Sequence, residues 1–593
     1  MSYQAPIKDM LFVMSETARL DEIARIKKFE DFDIQTAAAV LEESNKFCAA
    51  VLAPLNWEGD KNPSTWQDGR VSVSQGFTQA YQQFKSGGWQ SVIHEEEYGG
   101  QGVPKLIATA CSEMLNASNL SFALCPLLTD GAIEALITAG SQELKNKFLP
   151  NMVSGKWSGT MNLTEPQAGS DLSLVRTKAL RQPNGDYKIY GTKIYITYGE
   201  HDMTENIIHL VLARTPDSPE GVKGISLFLV PKFIVKDDGS LGDRNDVYCV
   251  SIEHKLGIKA SPTAVLQYGD KTGAVGYLVG EENRGLEYMF IMMNAARFAV
   301  GMQGVAVADR AYQKAVSYAK ERVQSKDLNG SHGPVAIINH PDVKRMLATM
   351  RAYTEGSRAM AYFAAKCSDL ALNSTDALER EQNAALYEFM VPVIKGFSTE
   401  MSIQVASLGV QVHGGMGFIE ETGAAQYYRD ARILTIYEGT TAIQANDLVG
   451  RKTYKDKGAV AFAISKMIES TQLELAKRSS VEAKAVLKNL SLARVAFESV
   501  VHFVVDHFKS DTKDVFAGSV GYLMLTGYLL SAWQLSKALM VAEDKMAEDK
   551  PFYSAKIATA RFHAEHLLPQ ALSLAQCVLE GGQAVNAFEV DQF

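Results

Sequence analysis

The sequence predicts an α+β multidomain protein: helices first, an antiparallel β unit in the middle, then two further helical units. Three observations lead there. A chain of 593 residues exceeds what one cooperative core organises and should divide into three or four units. Hydrophobic spacing is helical to about residue 155, switches to strand-like alternation at about Trp157, and turns helical again at Arg284-Gly285-Leu286. No self-similarity of solenoid period runs through the chain. The expected units are residues 1–156, 157–281, 282–453 and 454–593.

In the first unit, Ala37-Ala38-Ala39-Val40-Leu41, Leu106 to Met114 and Ala132 to Leu149 carry helical spacing. In the second, Tyr187-Lys188-Ile189-Tyr190 follows a Pro183-Asn184-Gly185-Asp186 turn, a hairpin signal. Ile207 to Ala213, Ile225 to Val230, Cys249 to Ile252 and Ala264 to Tyr268 read as further short strands. In the third, helical spacing persists through Gln324, Val343 to Ala371, Asp376 to Gly409 and Ala442 to Gly450. Residues 455 to 593 form the last helical block.

Hydrophobic residues at 46% and charged residues at 21% are ordinary for a soluble protein. The net charge of −9 speaks against nonspecific nucleic-acid binding, which draws its affinity from Lys and Arg. Six cysteines without a C-x-x-C pair suit reduced thiols in a cytoplasmic protein rather than a disulfide framework or structural zinc, and no metal site is expected. The N-terminus carries an early Asp9 and no apolar run of signal-peptide type. Val515 to Ser536 is uncharged and long enough to span a bilayer. Its Gly518, Gly521 and Gly527, with polar residues between, point instead to a helix buried among helices and to no stable membrane insertion.

Three motifs bear on chemistry. Ile436-Tyr437-Glu438-Gly439-Thr440-Thr441 sets a carboxylate beside a glycine between two apolar helical patterns, with no Lys or Arg in the next four positions. Upstream lies Leu163-Thr164-Glu165-Pro166-Gln167-Ala168-Gly169-Ser170-Asp171, followed by Lys193-Ile194-Tyr195-Ile196-Thr197. Between them stands Gln411-Val412-His413-Gly414-Gly415-Met416-Gly417-Phe418, then Tyr428-Arg429-Asp430-Ala431-Arg432. No G-x-G-x-x-G follows a strand, so a Rossmann nucleotide site is not supported. In this order and spacing, over about residues 40 to 450, the set resembles the acyl-CoA dehydrogenase family of flavoenzymes. The whole-length pattern is similar to an extended bacterial subgroup that includes 3-methylmercaptopropionyl-CoA and fatty acyl-CoA dehydrogenases.

The resemblance implies a helical domain, a β domain and a four-helix bundle, with residues 454–593 as an additional helical domain. It implies FAD as cofactor and α,β-dehydrogenation of an acyl-CoA thioester to the trans-2-enoyl-CoA, as in fatty acid β-oxidation. Glu438 would take the α-proton. A free glutamate is a weak base at about 4.3, and burial should raise it. The family's variant base position, one residue before an arginine, is Ala296 here, ahead of Arg297, so Glu438 has no rival there.

By position, Leu163, Thr164, Gly169 and Ser170 would meet the flavin and its pyrophosphate, Tyr195 would cover the ring, and Thr197 would hydrogen-bond N5. Arg322, Gln411, Gly414 and Gly415 would reach the adenosine half of FAD in a neighbouring subunit, and Thr440 would lie near the pyrophosphate. Arg322 is followed by Val323-Gln324-Ser325, where many relatives carry a Phe-Gly pair. Ser170, Asn294, Arg297, Tyr437 and Gly439 would contact substrate. The expected assembly is a homodimer or dimer of dimers, with electron-transfer flavoprotein as acceptor.

Other signals read as structural. His94-Glu95-Glu96-Glu97 lacks the second histidine of H-E-x-x-H, and His563 and His566 have no further ligand nearby. Tyr288 to Met293 suits either an acyl tunnel or a helix core. An acyl-CoA oxidase would typically show Thr-Glu-Leu-Gly-His-Gly where this chain has Thr164-Glu165-Pro166-Gln167-Ala168-Gly169. A nucleic-acid-binding branch of the family carries a basic C-terminal domain, whereas residues 455–593 hold 15 Lys+Arg against 16 Asp+Glu.

Overall fold

A computed structural model describes residues 3–593. Asp33 opens the first long helix, α1 (Ile34–Phe47), by accepting the amides of Gln35 and Thr36 at 3.0 and 2.8 Å. Helices α2 (Lys105–Ser118), α3 (Leu120–Ala139) and α4 (Gln142–Val153) follow. The apolar spacing of 132–149 thus spans two helices. Gly140 leaves helical geometry, and the Ser141 hydroxyl starts α4 by accepting the Leu144 amide at 3.2 Å.

One eight-stranded sheet forms the middle: β1 (Trp157–Asn162), β2 (Lys178–Arg181), β3 (Tyr187–Thr197), β4 (Asn206–Ala213), β5 (Ser226–Pro231), β6 (Val247–Ile252), β7 (Thr263–Tyr268) and β8 (Ala274–Val279). Its order is β6-β7-β3-β8-β5-β4-β1, with β2 paired to β3. The β2–β3 hairpin turns where expected, through Gly185 at φ +92° and the Asp186 carbonyl accepting from Gln182 at 2.8 Å. The sheet is not antiparallel throughout, because β1 runs parallel to β4. The long chain between them, which contains β2 and β3, supplies the crossover that parallel neighbours need.

The bundle consists of α5 (Gly285–Glu321), α6 (Pro341–Asn373), α7 (Ala377–His413) and α8 (Ala424–Leu434). The short helix α9 (Thr441–Asp447) follows and continues as a π-helix, Leu448–Tyr454. Helix α5 stops earlier than its periodicity, since Arg322 already has extended ψ at 117°. Glycines let α5 and α7 approach closely: a Cβ on Gly304 would lie 2.6 Å from the Ser398 carbonyl oxygen.

Beyond the bundle, α10 (Ala459–Leu475), α11 (Val481–His507), α12 (Ser519–Asp544) and α13 (Lys550–Phe562) form the last helical layer. Residues 515–536 are not one helix: Thr512–Ala517 ends at Gly518, and α12 begins at Ser519. Helix α12 is buried on most sides, and a Cβ on its Gly527 would fall 2.2 Å from the Phe397 ring of α7. Lys556 of α13 pairs with Asp9 and Glu355, and Arg358 of α6 joins Asp9, Glu113 and Asp309. This buried charge cluster ties the last layer to the N-terminal helices and the bundle. Two helices, α3 and α5, are long and apolar enough to cross a bilayer. Their most apolar windows are 78% and 67% buried inside the protein, as core helices are.

Candidate active site

Glu438 lies in the turn from α8 to α9. The Thr441 amide reaches back to the Thr435 carbonyl at 3.1 Å and closes the turn. The Thr440 hydroxyl caps α9 by accepting the Ile443 amide at 3.3 Å. Glu438 has φ +54° and Gly439 φ +88°. A side-chained residue in the left-handed region is strained and persists only where its surroundings hold it. Here they do. The Gln444 side-chain amide donates to the carbonyls of Glu438 and Gly439 at 3.3 and 3.2 Å, and the Lys395 ammonium donates to Gly439 at 2.6 Å. Gly439 has no room for a side chain: a Cβ would meet Gln444 Nε2 at 2.6 Å.

The Glu438 carboxyl is half-buried. Loss of hydration pushes its pKa up to about 7, against the opposing charges of Lys395 and Arg297. Lys395, on α7, is itself buried, and burial draws its ammonium down to about 7 against the pull of Glu438. Arg297, buried on α5, pairs with Asp447 of α9 at 3.2 Å and lies 3.5 Å from Asn294 Oδ1. Ala296 beside it is buried. The Tyr437 hydroxyl donates to Gln303 of α5, whose amide donates to Asn116 of α2 at 3.1 Å. The turn is thereby moored to three helices.

A second cluster stands on the sheet. The Ile194 amide donates to the Thr164 carbonyl at 3.0 Å, joining the 163–170 loop to β3. Lys193, fully buried, donates to the Leu163 carbonyl at 2.9 Å and pairs with Glu165 at 2.8 Å. Glu165 also accepts from Thr177 and from the amide of Arg176. Burial would raise this carboxyl, but Lys193 and these hydrogen bonds outweigh it and hold it at about 2. Pairing of β3 with β7 slips between Ala264 and Leu266, and Tyr195 sits in that bulge at φ +59°. The bulge turns its ring outward, 61% exposed. Thr197 pairs with Thr263. Gly169 and Ser170 are exposed, and a Cβ on Gly169 would touch nothing within 4 Å.

The third cluster occupies one end of the bundle. Tyr318 of α5 stacks on His413 of α7 at 4.4 Å, which brings Arg322 together with Gln411, Gly414 and Gly415, all exposed. Lys395 and Gln411 share α7 and stand about 24 Å apart along it. The third cluster is therefore remote from Glu438 within this chain.

Among the residues that sequence reading assigned to structure, His94 pairs with Asp130 at 2.8 Å. His563 is buried, while His566 stacks on Phe562. Met289 and Met292 are core residues, so that helix segment packs rather than opening a tunnel along its whole face. Sequence reading missed Lys395, Asp447, Gln444 and the Glu165–Lys193 pair. One signal was present: Lys395 interrupts the apolar run Val391 to Phe397, and a lysine there must find a buried partner.

Family models match in chain order: acyl-CoA dehydrogenase N-terminal domain at 34–156, middle domain at 160–270 and C-terminal domain at 283–452. The acetyl-CoA dehydrogenase C-terminal-like model matches 462–589. The chain belongs to the acyl-CoA dehydrogenase family. It is 50% identical to the 3-methylmercaptopropionyl-CoA dehydrogenase of Ruegeria pomeroyi over 99% of both chains. It is 33% identical to the broad-specificity linear acyl-CoA dehydrogenase FadE5 of Mycobacterium tuberculosis over 97% of both. Among solved structures, the acyl-CoA dehydrogenase of Bacillus anthracis complexed with FAD shares the fold at TM-score 0.75 and 21% identity, covering 94% of this chain and 90% of that one.

The protein is an oxidoreductase of an FAD-dependent family. The sheet cluster fits such a group. An outward-turned tyrosine ring, open backbone at Gly169 and Ser170, and a loop braced from behind by a buried ion pair suit a planar, phosphate-bearing cofactor.

Proposed function

We propose that this enzyme converts an acyl-CoA thioester to its trans-2-enoyl-CoA, with Glu438 taking the α-proton. The observation that carries this is a carboxyl poised at about 7 in a strained turn held by Lys395 and Gln444. A base of that strength is matched to proton removal near neutral pH. A bound FAD would supply the acceptor for the β-hydride and a route for its electrons to an electron-transfer flavoprotein.

Leu163, Thr164, Gly169, Ser170, Tyr195 and Thr197 would hold its flavin end, with Thr440 near the pyrophosphate. Ser170, Asn294, Arg297, Tyr437 and Gly439 would orient the thioester. Arg322, Gln411, Gly414 and Gly415 would serve the FAD of a neighbouring subunit in a homodimer or dimer of dimers. Their distance from Glu438 supports this, as does the exposure of Val323, Met416, Phe418 and Ile419 around them. The setting is cytoplasmic.

The 50% identical relative supports a short substrate such as 3-methylmercaptopropionyl-CoA. Anaerobic titration with propionyl-, butyryl-, 3-methylmercaptopropionyl-, octanoyl- and palmitoyl-CoA, read from bleaching of the flavin band, tests the proposal. The short thioesters, the 3-methylmercapto one included, should bleach it at one equivalent. A flavin that no acyl-CoA bleaches would refute the reading.

A further inference from the structure

Two cations, Lys395 and Arg297, act on Glu438, and further charged groups act on those two. Helix α7 brings Lys395 and Glu400, α5 brings Arg297, and the 441–454 helical segment brings Asp447 and Arg451. These groups are not equivalent. Arg297 is matched by Asp447 at 3.2 Å, and Arg451 forms an ion pair with the same carboxylate at 3.1 Å. Glu400 accepts from the Thr441 hydroxyl at 2.5 Å. The hydrogen bond of Lys395 instead goes to a neutral carbonyl, that of Gly439, immediately after the base. A fully buried ammonium against the peptide of a strained turn is expensive unless it serves the charge beside it.

Resting on the reading of Glu438 as base, we propose that Lys395 is a positioning residue for the reaction. Its ammonium clamps the Gly439 carbonyl and keeps Glu438 in the carboxylate form that takes the α-proton. The clamp and the charge act on the same turn but are separable. Gln444 shares the carbonyl contacts and carries no charge. Of the two cations acting on Glu438, Arg297 is paired with Asp447, whereas Lys395 makes no ion pair among the described residues, so its charge, where protonated, is directed at the carboxyl beside it. Burial raising Glu438 and the neighbouring cations lowering it are the opposing effects present in this structure.

The test compares Lys395→Gln, which keeps a donor but loses the charge, with Lys395→Arg, which keeps the charge. Flavin reduction by a saturating short acyl-CoA is followed anaerobically from pH 5.5 to 9.5, beside Glu438→Gln and wild type. An opposite charge close to a carboxylate moves its pKa by about 1–3 units. The profile of Lys395→Gln should therefore shift alkaline by at least about 1 unit, slowing reduction about fivefold at pH 7 and about tenfold well below it, with the plateau regained at high pH. Lys395→Arg, charged across this range, should show no alkaline shift. In infrared titration of the ligand-free holoenzyme, the carboxyl band lost in Glu438→Gln should move in the same direction.

Equal slowing at every pH, or an equal shift in Lys395→Arg, would overturn the proposal. If Lys395→Gln does not fold, Lys395→Met and the arginine variant decide by the same midpoints. Wild-type rates in Glu438→Gln would sink the base assignment itself. A slow Glu438→Gln with an unshifted Lys395→Gln sinks only the role of Lys395.

Discussion

Glu165 and Lys193 form an ion pair buried behind the loop proposed to carry the flavin, and removing one partner should expose its cost. In Glu165→Gln, the fully buried Lys193 ammonium keeps its bond to the Leu163 carbonyl but loses its counter-charge. Lys193 and its neighbouring donors hold Glu165 well below the ordinary carboxylate range, whereas burial draws the Lys193 ammonium down to about 8 even with Glu165 beside it. Stripping away half of a buried pair costs about 3–5 kcal/mol. Lys193→Met should cost about as much, leaving the carboxylate with only its hydroxyl, amide and Gln167 donors. The double variant removes both charges, and its loss should fall short of the sum by about 2–3 kcal/mol. Urea unfolding of the holoenzyme, followed by flavin fluorescence and far-ultraviolet circular dichroism, measures all four proteins. Flavin release should shift further than loss of helix, because the pair braces the loop locally. Additive single losses, or a Glu165→Gln cost below about 1 kcal/mol, would refute this account of the loop.

If Glu438 is the base and acts as a carboxylate raised to about 7, reduction at low substrate should rise with pH. It should gain about tenfold per unit below that point and level off above it; a flat profile from pH 5.5 to 8.5 would contradict this. If the 322 and 411–415 cluster reaches a neighbour's FAD, cofactor and subunit binding are linked, so stripping FAD should promote dissociation in sedimentation. A holoenzyme that sediments as a monomer at micromolar concentration would exclude that arrangement.

Much of the fold was legible because periodicity is a local property. The hairpin at 183–186 and the helices of the bundle follow directly from spacing and turn residues. Breaks were harder to place: Gly140 and Gly518 each end a helix inside an apolar run, where hydrophobicity alone continues unbroken. The parallel β1–β4 pair depends on which strands meet in space, which alternation does not encode. Glu438 was legible through its glycine neighbour and its place between helices. Lys395, Asp447 and Gln444 were not, since each acts by reaching across from, or back along, a separate helix. Bulge geometry at Tyr195 likewise arises from the β7 register rather than from its own neighbours in sequence.

The central claim is that Glu438 takes the proton, and Glu438→Gln tests it most directly. Glutamine nearly matches glutamate in size and keeps a carbonyl, but it accepts no proton near neutral pH. The measurement is anaerobic stopped-flow reduction of the bound flavin at saturating acyl-CoA, with FAD content and the acyl-CoA-induced spectral shift checked first. FAD binding should survive, because the turn is held through the backbone carbonyls of residues 438 and 439 rather than through the carboxyl. Reduction should slow by at least about a hundredfold, the lower end for losing a positioned base. Reduction at close to the wild-type rate would show that the base lies elsewhere.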